Sequence, residues 1–280
     1  MTAEPSAEAS VEAPARAWTV RAAAGGVTFI ALYLYLRTLA PSITWAHQGA
    51  DSGELLAAAV TNGVPHPPGY PLYMLLLQAW LQISALLLPE ADLAWRGNLL
   101  SALCAACSVG VTLVVLASLL DGTPRAWFWA LPASLTWAVS PLLWSQAVIT
   151  EVYALHALFV SLLGWALLCQ AGRPLWLIPV VALGAAHHLT FVLLMPATFY
   201  YLWRVYPQAP AARLGRIALI LLAGGLLGAL FHVRTPLVAA VTPPSPINWG
   251  YPDNSSGFWL LVSGAAYRDD LFNLSASEWP

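Results

Sequence analysis

The sequence contains no lysine, and only 9% of its 280 residues are charged. Its 11 basic residues are all arginines scattered among 13 acids, so no basic stripe could hold a phosphate backbone, and a nucleic-acid partner is excluded. The three cysteines all lie within apolar runs, which predicts neither a structural disulfide nor a zinc site. P-loop, dinucleotide-binding, HExxH and GxSxG motifs are also absent, so nucleotide hydrolysis and zinc proteolysis have no support.

Hydrophobic residues, in contrast, make up 59% of the chain, and the mean hydropathy is +0.70. This composition predicts an all-α polytopic membrane protein. We expect a disordered cytoplasmic tail over 1–17, a transmembrane module over 18–235 and an outer-face loop over 236–280. The apolar runs that predict the spans cover about 22–40, 98–120, 127–144, 147–170, 175–186, 189–206 and 217–235.

The arginine distribution decides between topologies. Residues 71–88 are long enough to span but carry two glutamines, and 175–203 could form one span or two that meet at a histidine pair. Seven spans, with 71–88 along the outer interface, place seven arginines inside and four outside. If 71–88 spans and the histidine pair remains a hairpin, five arginines lie inside and six outside. If 71–88 spans and 175–203 is a single span, the count is six against five. The positive-inside rule therefore favours the first arrangement. That topology brings Asp51, Glu54, His66, Glu151 and the histidine pair to one outer face.

Asp51-Ser-Gly-Glu54 follows the first span and has two interpretations. It could be a capping box, with Asp51 at the N-cap and Glu54 at the third helical position. Alternatively, a carboxylate at the mouth of a membrane cavity could act as general base on an acceptor hydroxyl.

Further polar residues interrupt the apolar pattern. The proline-rich stretch around His66 and Tyr70 predicts stiff, non-helical backbone, either a connecting turn or part of a cavity. Glu151 is expected about 9 Å inside an apolar helix, where a carboxylate must be paired or face water. His156, one turn deeper, is expected to be a core histidine.

Two other groups have both structural and functional interpretations. His187-His188 could form the corner of a helical hairpin or donate to an anionic group at the outer leaflet. Arg96 and Arg234 each flank a span, and we expect them either to reach lipid head groups or to bind a lipid phosphate.

The chain also carries an ordered set of short motifs between about residues 25 and 270. They are Asp51-Ser-Gly-Glu54, His66-Pro-Pro-Gly69, Arg96-Gly-Asn98, Trp144-Ser-Gln146, Glu151-Val-Tyr153, Gly184-Ala-Ala-His187-His188, Asn248-Trp249-Gly250-Tyr-Pro252 and Ser263-Gly264 with Tyr267-Arg268. Each is weak alone, but the set resembles the protein O-mannosyltransferase-like membrane family (domain-of-unknown-function family 2723). Its eukaryotic relatives include a transmembrane O-mannosyltransferase that acts on plexin-type domains.

This resemblance implies a GT-C glycosyltransferase fold, with a core of about seven transmembrane helices and interfacial helices in the first outer loop. It also implies that Asp51 is the general base, with Glu54 as its partner or as a contact for the acceptor. Glu151 is a further catalytic candidate, because the sequence does not decide whether Asp51 or Glu151 is the base. The expected substrate-binding residues are His66, Tyr70, Arg96, Asn98, Gln146, Tyr153, His187, His188, Arg234, Trp249, Tyr267 and Arg268. The acids could hold a divalent metal, but Asp51 and Glu54 alone offer too few ligands to assign one.

The predicted function is transfer of a sugar, with mannose as one candidate, from a polyprenyl phosphate to a hydroxyl of a protein, glycan or lipid at the outer face of the plasma (inner) membrane. Alternatives are a lipid-linked glycan carrier or flippase, and a non-catalytic membrane assembly subunit. Family members usually continue into further helices or a soluble domain, so we expect this chain to be an N-terminal part of a longer protein.

Overall fold

A computed structural model of the chain describes residues 7–120, 122–170 and 173–267, and most of these residues are helical. Among them, the only β pairing is a single parallel bridge between Val64 and Asn248. The prediction of an all-α polytopic membrane protein is confirmed. The α-helices are α1 (Ala7–Thr38), α2 (Ser52–Val60), α3 (Pro71–Leu87), α4 (Leu93–Leu119), α5 (Ala126–Ala138), α6 (Pro141–Ala147), α7 (Tyr153–Leu168), α8 (Leu177–His187), α9 (Met195–Val205), α10 (Pro210–Phe231), α11 (Arg234–Ala239) and α12 (Ser255–Val262).

The first helix begins earlier than the sequence analysis expected. Residues 7–17, which were assigned to a disordered tail, form the first turns of α1, in keeping with the high helix propensity of alanine and glutamate. Residues 1–6 of the predicted tail lie outside the described part of the chain.

Contacts between the long helices fix their relative directions. Helix α1 runs antiparallel to α4, because Thr28 lies beside Gly110 whereas Ala40 accepts a hydrogen bond from Asn98. Helix α7 runs parallel to α4, because Ser101 bonds the backbone of Glu151 at one end and Ser118 contacts Cys169 at the other.

Helices α8 and α10 are also parallel. Gly224 lies against Val181, and Gly228, one turn later, lies against Ala182 and Ala185. Because parallel helices need a return connection, α9 runs back between them, and the histidine pair lies at the turn. This geometry agrees with two separate segments over 175–203.

The remaining short helices gather at one end of the bundle, which we call the site end. It holds the C-terminus of α1 and the N-termini of α4 and α7. Helix α3 lies across this end, since Tyr73 contacts His187 at the end of α8 and Trp80 donates to the carbonyl of Arg96 in the first turn of α4. Helices α1, α4, α5, α7, α8, α9 and α10 run between the two ends.

Among the described residues, three helical segments are long and apolar enough to cross a membrane, namely Ala17–Thr38, Leu93–Leu119 and Pro210–Ala239. The other helices that run between the ends have 11 to 16 residues. Large apolar side chains cover the outside of the bundle; Leu219 and Leu226 of α10, for example, are 68% and 69% exposed. Such a surface is stable against lipid rather than water.

Two predicted runs are broken in the structure. The run 127–144 divides at Ser140, whose hydroxyl accepts from the backbone N–H of Leu143 and begins α6. The run 147–170 begins with the last residue of α6 and is then non-helical until α7 starts at Tyr153. Glu151 therefore does not lie inside an apolar helix, as predicted, but in the bent, non-helical connection between α6 and α7.

Candidate active site at one end of the helix bundle

Asp51, Glu54 and His66 form a compact cluster at the site end. The backbone N–H of His66 donates to Oε1 of Glu54 at 2.7 Å, and its ring Nδ1 lies 3.3 Å from each oxygen of the same carboxylate. Nε2 of His66 lies 3.7 Å from Oδ2 of Asp51. One ligand atom from each of the three residues can be chosen so that all lie within 4.8 Å of one another.

The capping box proposed for Asp51 and Glu54 is not formed. Asp51 does occupy the N-cap position of α2, but its side chain accepts no hydrogen bond from the helix. Glu54 reaches instead to His66, as described above. The Asp51 side chain is 44% exposed, so its carboxylate stands at the mouth of the site with one face open.

The proline-rich segment after α2 places His66 and Tyr70 together. Gly69 and Tyr70 both adopt positive φ angles, +83° and +40°, which turn the chain sharply into α3. As a result, the Tyr70 hydroxyl lies 3.2 Å from Nε2 of His66. The proline-rich stretch is therefore more than a connecting turn, because it presents the side chains of His66 and Tyr70 to the cluster.

Glu151 lies behind the cluster and is only 2% exposed. Ser101 of α4 holds its backbone through bonds to the Glu151 N–H and carbonyl at 3.3 and 3.4 Å. Neither carboxylate oxygen makes a well-formed hydrogen bond to the described residues. Burial, together with the charge of Asp51, raises the pKa of Glu151 to about 7, although nearby backbone N–H groups and His66 offset part of the rise.

In the Glu54–His66 pair, unlike at Glu151, the charged forms of both side chains are favoured. Burial opposes charge on both groups, but their mutual hydrogen bond and attraction outweigh it. The pKa of Glu54 is lowered, and that of His66 is raised further by the charges of Asp51 and Glu151. The site thus combines one carboxylate that stays ionised with another that holds a proton near neutral pH.

A second set of rings joins the cluster through Tyr70. The centroid of the Tyr70 ring lies 5.6 Å from that of His188, which lies 5.7 Å from Tyr153 and 5.0 Å from His156. The backbone N–H of Thr190 donates to Nδ1 of His188, so the proton of the neutral ring is on Nε2. Burial, with the neighbouring His156 and His66, lowers the pKa of His188 to about 4, which keeps this ring uncharged.

The two histidines of the pair have different surroundings. His187 is buried and its Nε2 donates to the carbonyl of Val152 at 2.9 Å, which fixes α8 beside the Glu151 connection. His156 was expected to be a core histidine but is half-buried and faces an open cavity, with Nε2 3.4 Å from the Thr190 hydroxyl. Its position three residues after Tyr153, on the same helix face, is the sequence signal that could have identified it.

The segment after α11 closes one side of the site. Val64 and residues 247–249 exchange backbone hydrogen bonds of 2.8 and 3.0 Å, which anchor this loop to the proline-rich segment. The Trp249 side chain reaches the Glu54 carboxylate and lowers its pKa. Burial raises the pKa of Tyr70, and Tyr153 and Tyr267 add to the rise. Arg268 lies outside the described residues.

An apolar cavity of about 610 Å³ extends from the site along the bundle. Its upper end holds Gln146, Tyr153 and His156, and Gly164, near the end of α7, lies about 16 Å deeper than Tyr153 at the helical rise. Gln146 also donates to the carbonyl of His47. The other lining residues are Thr112, Val115, Leu116, Trp137, Leu142, Leu143, Ala157, Val160 and Ser161.

Three predicted substrate-binding residues do not contact the carboxylates. Arg96 donates to the carbonyl of Leu81, and Arg234 donates to Asn62 and to the carbonyl of Gly63. Asn98 is buried, where it bonds the carbonyl of Ala40 and the hydroxyl of Thr150. In this structure Asn98 holds the Glu151 connection in place, and the two arginines lie beside α2 and α3, away from the carboxylates.

Comparison with known proteins identifies the family of the chain. The family model for the N-terminal domain of protein O-mannosyl-transferase TMEM260 matches residues 51–209, more than half of the chain. The chain belongs to this family. The matched region begins at Asp51 and includes Glu54, His66, Glu151 and the histidine pair, so the resemblance seen in the sequence is confirmed.

Two curated relatives show the same relationship. The chain is 34% identical over 154 residues to protein O-mannosyl-transferase TMEM260 from Mus musculus, which covers 55% of the chain and 20% of the relative. It is 29% identical over 132 residues to the protein of the same name from Dictyostelium discoideum, covering 46% of the chain and 15% of the relative. The chain thus aligns with a fifth or less of these relatives' length. No solved structure gives a significant match.

Proposed function

We propose that this chain is a GT-C-type glycosyltransferase module that moves a sugar from a polyprenyl phosphate to an acceptor hydroxyl. The relatives are named protein O-mannosyl-transferases, so mannose and a protein hydroxyl are the donor sugar and acceptor to test first. In this proposal seven helices cross the membrane, and the site end faces the outside of the plasma membrane. That orientation leaves seven arginines on the cytoplasmic side and four outside.

One observation carries the proposal: a row of adjoining rings joins the carboxylate cluster to an apolar cavity. Tyr153 lines the cavity, its ring lies 5.7 Å from that of His188, and His188 lies 5.6 Å from Tyr70, which contacts His66. A polyprenyl chain needs an apolar channel at membrane depth, and its phosphate needs to reach the polar end of that channel. The cavity would supply the apolar environment, and the cluster would supply the polar one beyond Tyr153 and His188.

The reaction we propose is a single displacement at the anomeric carbon. Asp51 accepts the proton of the acceptor hydroxyl, whose oxygen forms a bond to the anomeric carbon as the bond from that carbon to the phosphate oxygen breaks. The polyprenyl phosphate leaves with the bonding electron pair. Asp51 suits this role because its carboxylate is half-exposed and is not engaged by the helix that it begins.

Glu151 is the second carboxylate that could act as base. Its pKa of about 7 gives it the proton affinity that a general base needs at neutral pH. Its burial, however, places it behind Asp51 relative to the open face of the site. We therefore assign the proton transfer to Asp51. The role we assign to Glu151 is electrostatic, since its charge raises the pKa of His66.

The test is a transfer assay on membranes that contain the protein, with radiolabelled polyprenyl-phosphate mannose as donor. We expect Asp51→Asn to lower transfer by about 10²- to 10⁴-fold at equal protein level. Asp253→Asn is the matched control, because Asp253 is exposed and bonds only its neighbour Asn254 among the described residues. Equal transfer by wild type and Asp51→Asn would move the role of base to Glu151, to be tested with Glu151→Gln.

Absence of transfer by the wild type with several sugar donors would favour the other two functions, a glycan carrier or an assembly subunit. A subunit would show altered stability in Asp51→Asn, because the side chain would then serve packing alone. A carrier would move a labelled lipid-linked glycan between leaflets without forming a new glycosidic bond.

A further inference from the structure

Within the described part of the chain, the cluster at the site end contains more negative charge than its partners balance. Asp51, Glu54 and Glu151 meet around His66, and the described residues show no arginine in contact with any of the three carboxylates. Like charges at this separation repel, so the native arrangement is costly unless a proton or a cation lies between them. The question is which of the two the geometry favours.

The first three groups already have the arrangement of a ligand set. Oxygen atoms of Asp51 and Glu54 and a ring nitrogen of His66 lie within 4.8 Å of one another, which is the spacing of atoms that share one ion. Carboxylate oxygens are the preferred ligands of Mg²⁺ and Mn²⁺, and an imidazole nitrogen is accepted by Mn²⁺.

Glu151 supplies an independent observation. Glu151 is only 2% exposed, and neither carboxylate oxygen makes a well-formed hydrogen bond to the described residues. The backbone N–H groups of Val152 and Asp51 lie near enough to lower its pKa, which places the carboxylate beside the Asp51 end of the cluster. A buried carboxylate without well-formed hydrogen bonds is costly, and a cation with its bound water is the partner that would satisfy it.

We infer that Asp51, Glu54 and His66 form a binding site for one divalent cation of the Mg²⁺ and Mn²⁺ class, which Glu151 reaches through a bound water. Asp51 and Glu54 come from α2, His66 from the proline-rich segment and Glu151 from the connection before α7. The site thus joins three parts of the chain that meet only in the folded protein. The remaining coordination positions would be taken by water or by an oxygen of the substrate, as is usual for these cations.

The role of the cation rests on the proposed function, although its binding does not. In the proposed reaction a phosphate departs with negative charge, and Arg96 and Arg234, the residues expected to stabilise it, contact other groups. A cation held by the carboxylates would supply that positive charge beside the reacting atoms. An Asp51 oxygen that does not bind the cation would remain free to accept the proton.

Binding can be measured without any transfer reaction. We would purify the full chain in detergent, remove metal with EDTA and titrate Mn²⁺, following free Mn²⁺ by electron paramagnetic resonance. We expect one saturable site per chain in the wild type and an affinity weaker by about tenfold or more in Glu54→Gln and Glu151→Gln. Glu90→Gln is the matched control, because Glu90 is an exposed acid in the turn after α3.

A pulsed measurement on the bound ion would identify the histidine. Coupling of bound Mn²⁺ to a ligand nitrogen is expected in the wild type and in Glu90→Gln, and its absence is expected in His66→Gln.

Asp51→Asn serves as the variant that preserves the fold, because this half-exposed side chain makes no hydrogen bond to α2. Its melting temperature without metal should match that of the wild type while its Mn²⁺ affinity falls.

The outcomes separate the cation site from the proposed reaction. Absence of saturable binding, or equal affinity in the wild type and in all cluster variants, overturns the cation site, and transfer that persists in EDTA would then leave the proposed function standing. Saturable binding that depends on the cluster supports the site even if no sugar is transferred, a combination that would instead contradict the proposed function.

Discussion

The backbone N–H of His66 donates a 2.7 Å hydrogen bond to Oε1 of Glu54, twelve residues earlier in the chain. This bond fastens the proline-rich segment to α2 and brings the His66 ring within 3.3 Å of the same carboxylate. Glu54 therefore has two functions, a structural one through its oxygen as acceptor and an electrostatic one through its charge. The amide isostere separates them, because glutamine keeps the acceptor oxygen and loses the charge.

The first prediction concerns the charge of His66. In Glu54→Gln we expect the pKa of His66 to fall from its raised value, because burial continues to disfavour the imidazolium after the attraction of Glu54 has gone. The measurement is a titration of the histidine ring signals by nuclear magnetic resonance in EDTA. Glu90→Gln should leave the His66 titration unchanged, and an unchanged pKa in Glu54→Gln would show that Asp51 and Glu151 alone charge the ring.

The second prediction concerns the pH dependence of stability. The pKa of Glu151 is raised from 4.5 to about 7, so between these values the unfolded chain releases a proton that the folded chain keeps. Stability is therefore full below about pH 4.5 and falls as the pH rises to about 7. Glu151→Gln does not ionise and should become more stable than the wild type over this range, by a difference that reaches about 3 kcal/mol.

Chemical unfolding of the purified protein in EDTA at pH 5 and pH 8 measures this difference. Metal must be removed, because a cation bound beside Glu151 would stabilise the ionised wild type and reverse the sign. The Glu90→Gln variant controls for the loss of one carboxylate and should track the wild type at both pH values. A difference between Glu151→Gln and wild type that stays constant with pH would mean that Glu151 is ionised in both states.

The general architecture could be predicted from the sequence because it depends on local composition. Apolar runs, arginine positions and the glutamines of 71–88 were sufficient to predict an all-α membrane protein with 71–88 across one end of the bundle. The break at Ser140 also had a local signal, since Ser-Pro is a common start of a helix, but the apolar run concealed it.

The non-helical connection before α7 had no such signal. Residues 148–152 include no proline or glycine, and the backbone is held open by partners about 50 to 110 residues away in sequence. Ala40 donates to Val148, Asn98 bonds Thr150, and Ser101 bonds Glu151. Tertiary contacts of this kind override helix propensity and cannot be recognised from a short window of sequence.

The third prediction tests that connection through its packing. A Cβ atom on Gly97 would lie 2.5 Å from Oγ1 of Thr150 and 2.8 Å from Cδ2 of Leu56, so Gly97→Ala must displace the residue before Glu151. We expect a loss of about 1–3 kcal/mol in the free energy of unfolding, together with reduced transfer activity. Gly25→Ala is the matched control, because a Cβ atom at this helical position meets nothing within 4 Å. If Gly97→Ala were as stable and active as Gly25→Ala, α4 would not hold the connection in place.

The fourth prediction tests the apolar cavity as the site of the polyprenyl chain. Val160 lines the cavity about 10 Å below Tyr153, counted along α7, and is 39% exposed. Val160→Trp fills the channel at this depth without altering any residue of the carboxylate cluster. We expect the KM for a long-chain donor to rise by about tenfold or more, while a donor with a lipid of two isoprene units, which ends near this depth, is used almost normally.

The control for this substitution is Leu226→Trp, which adds the same ring to a 69% exposed position on α10 that does not line the cavity. Because both variants enlarge a lipid-facing helix, a general effect on folding or membrane insertion would appear equally in each. Selective loss with the long-chain donor in Val160→Trp alone would place the lipid in the cavity. The same decrease with long and short donors would mean that the tryptophan disturbs the head-group end, and equal activity of the two variants would exclude this cavity as the donor channel.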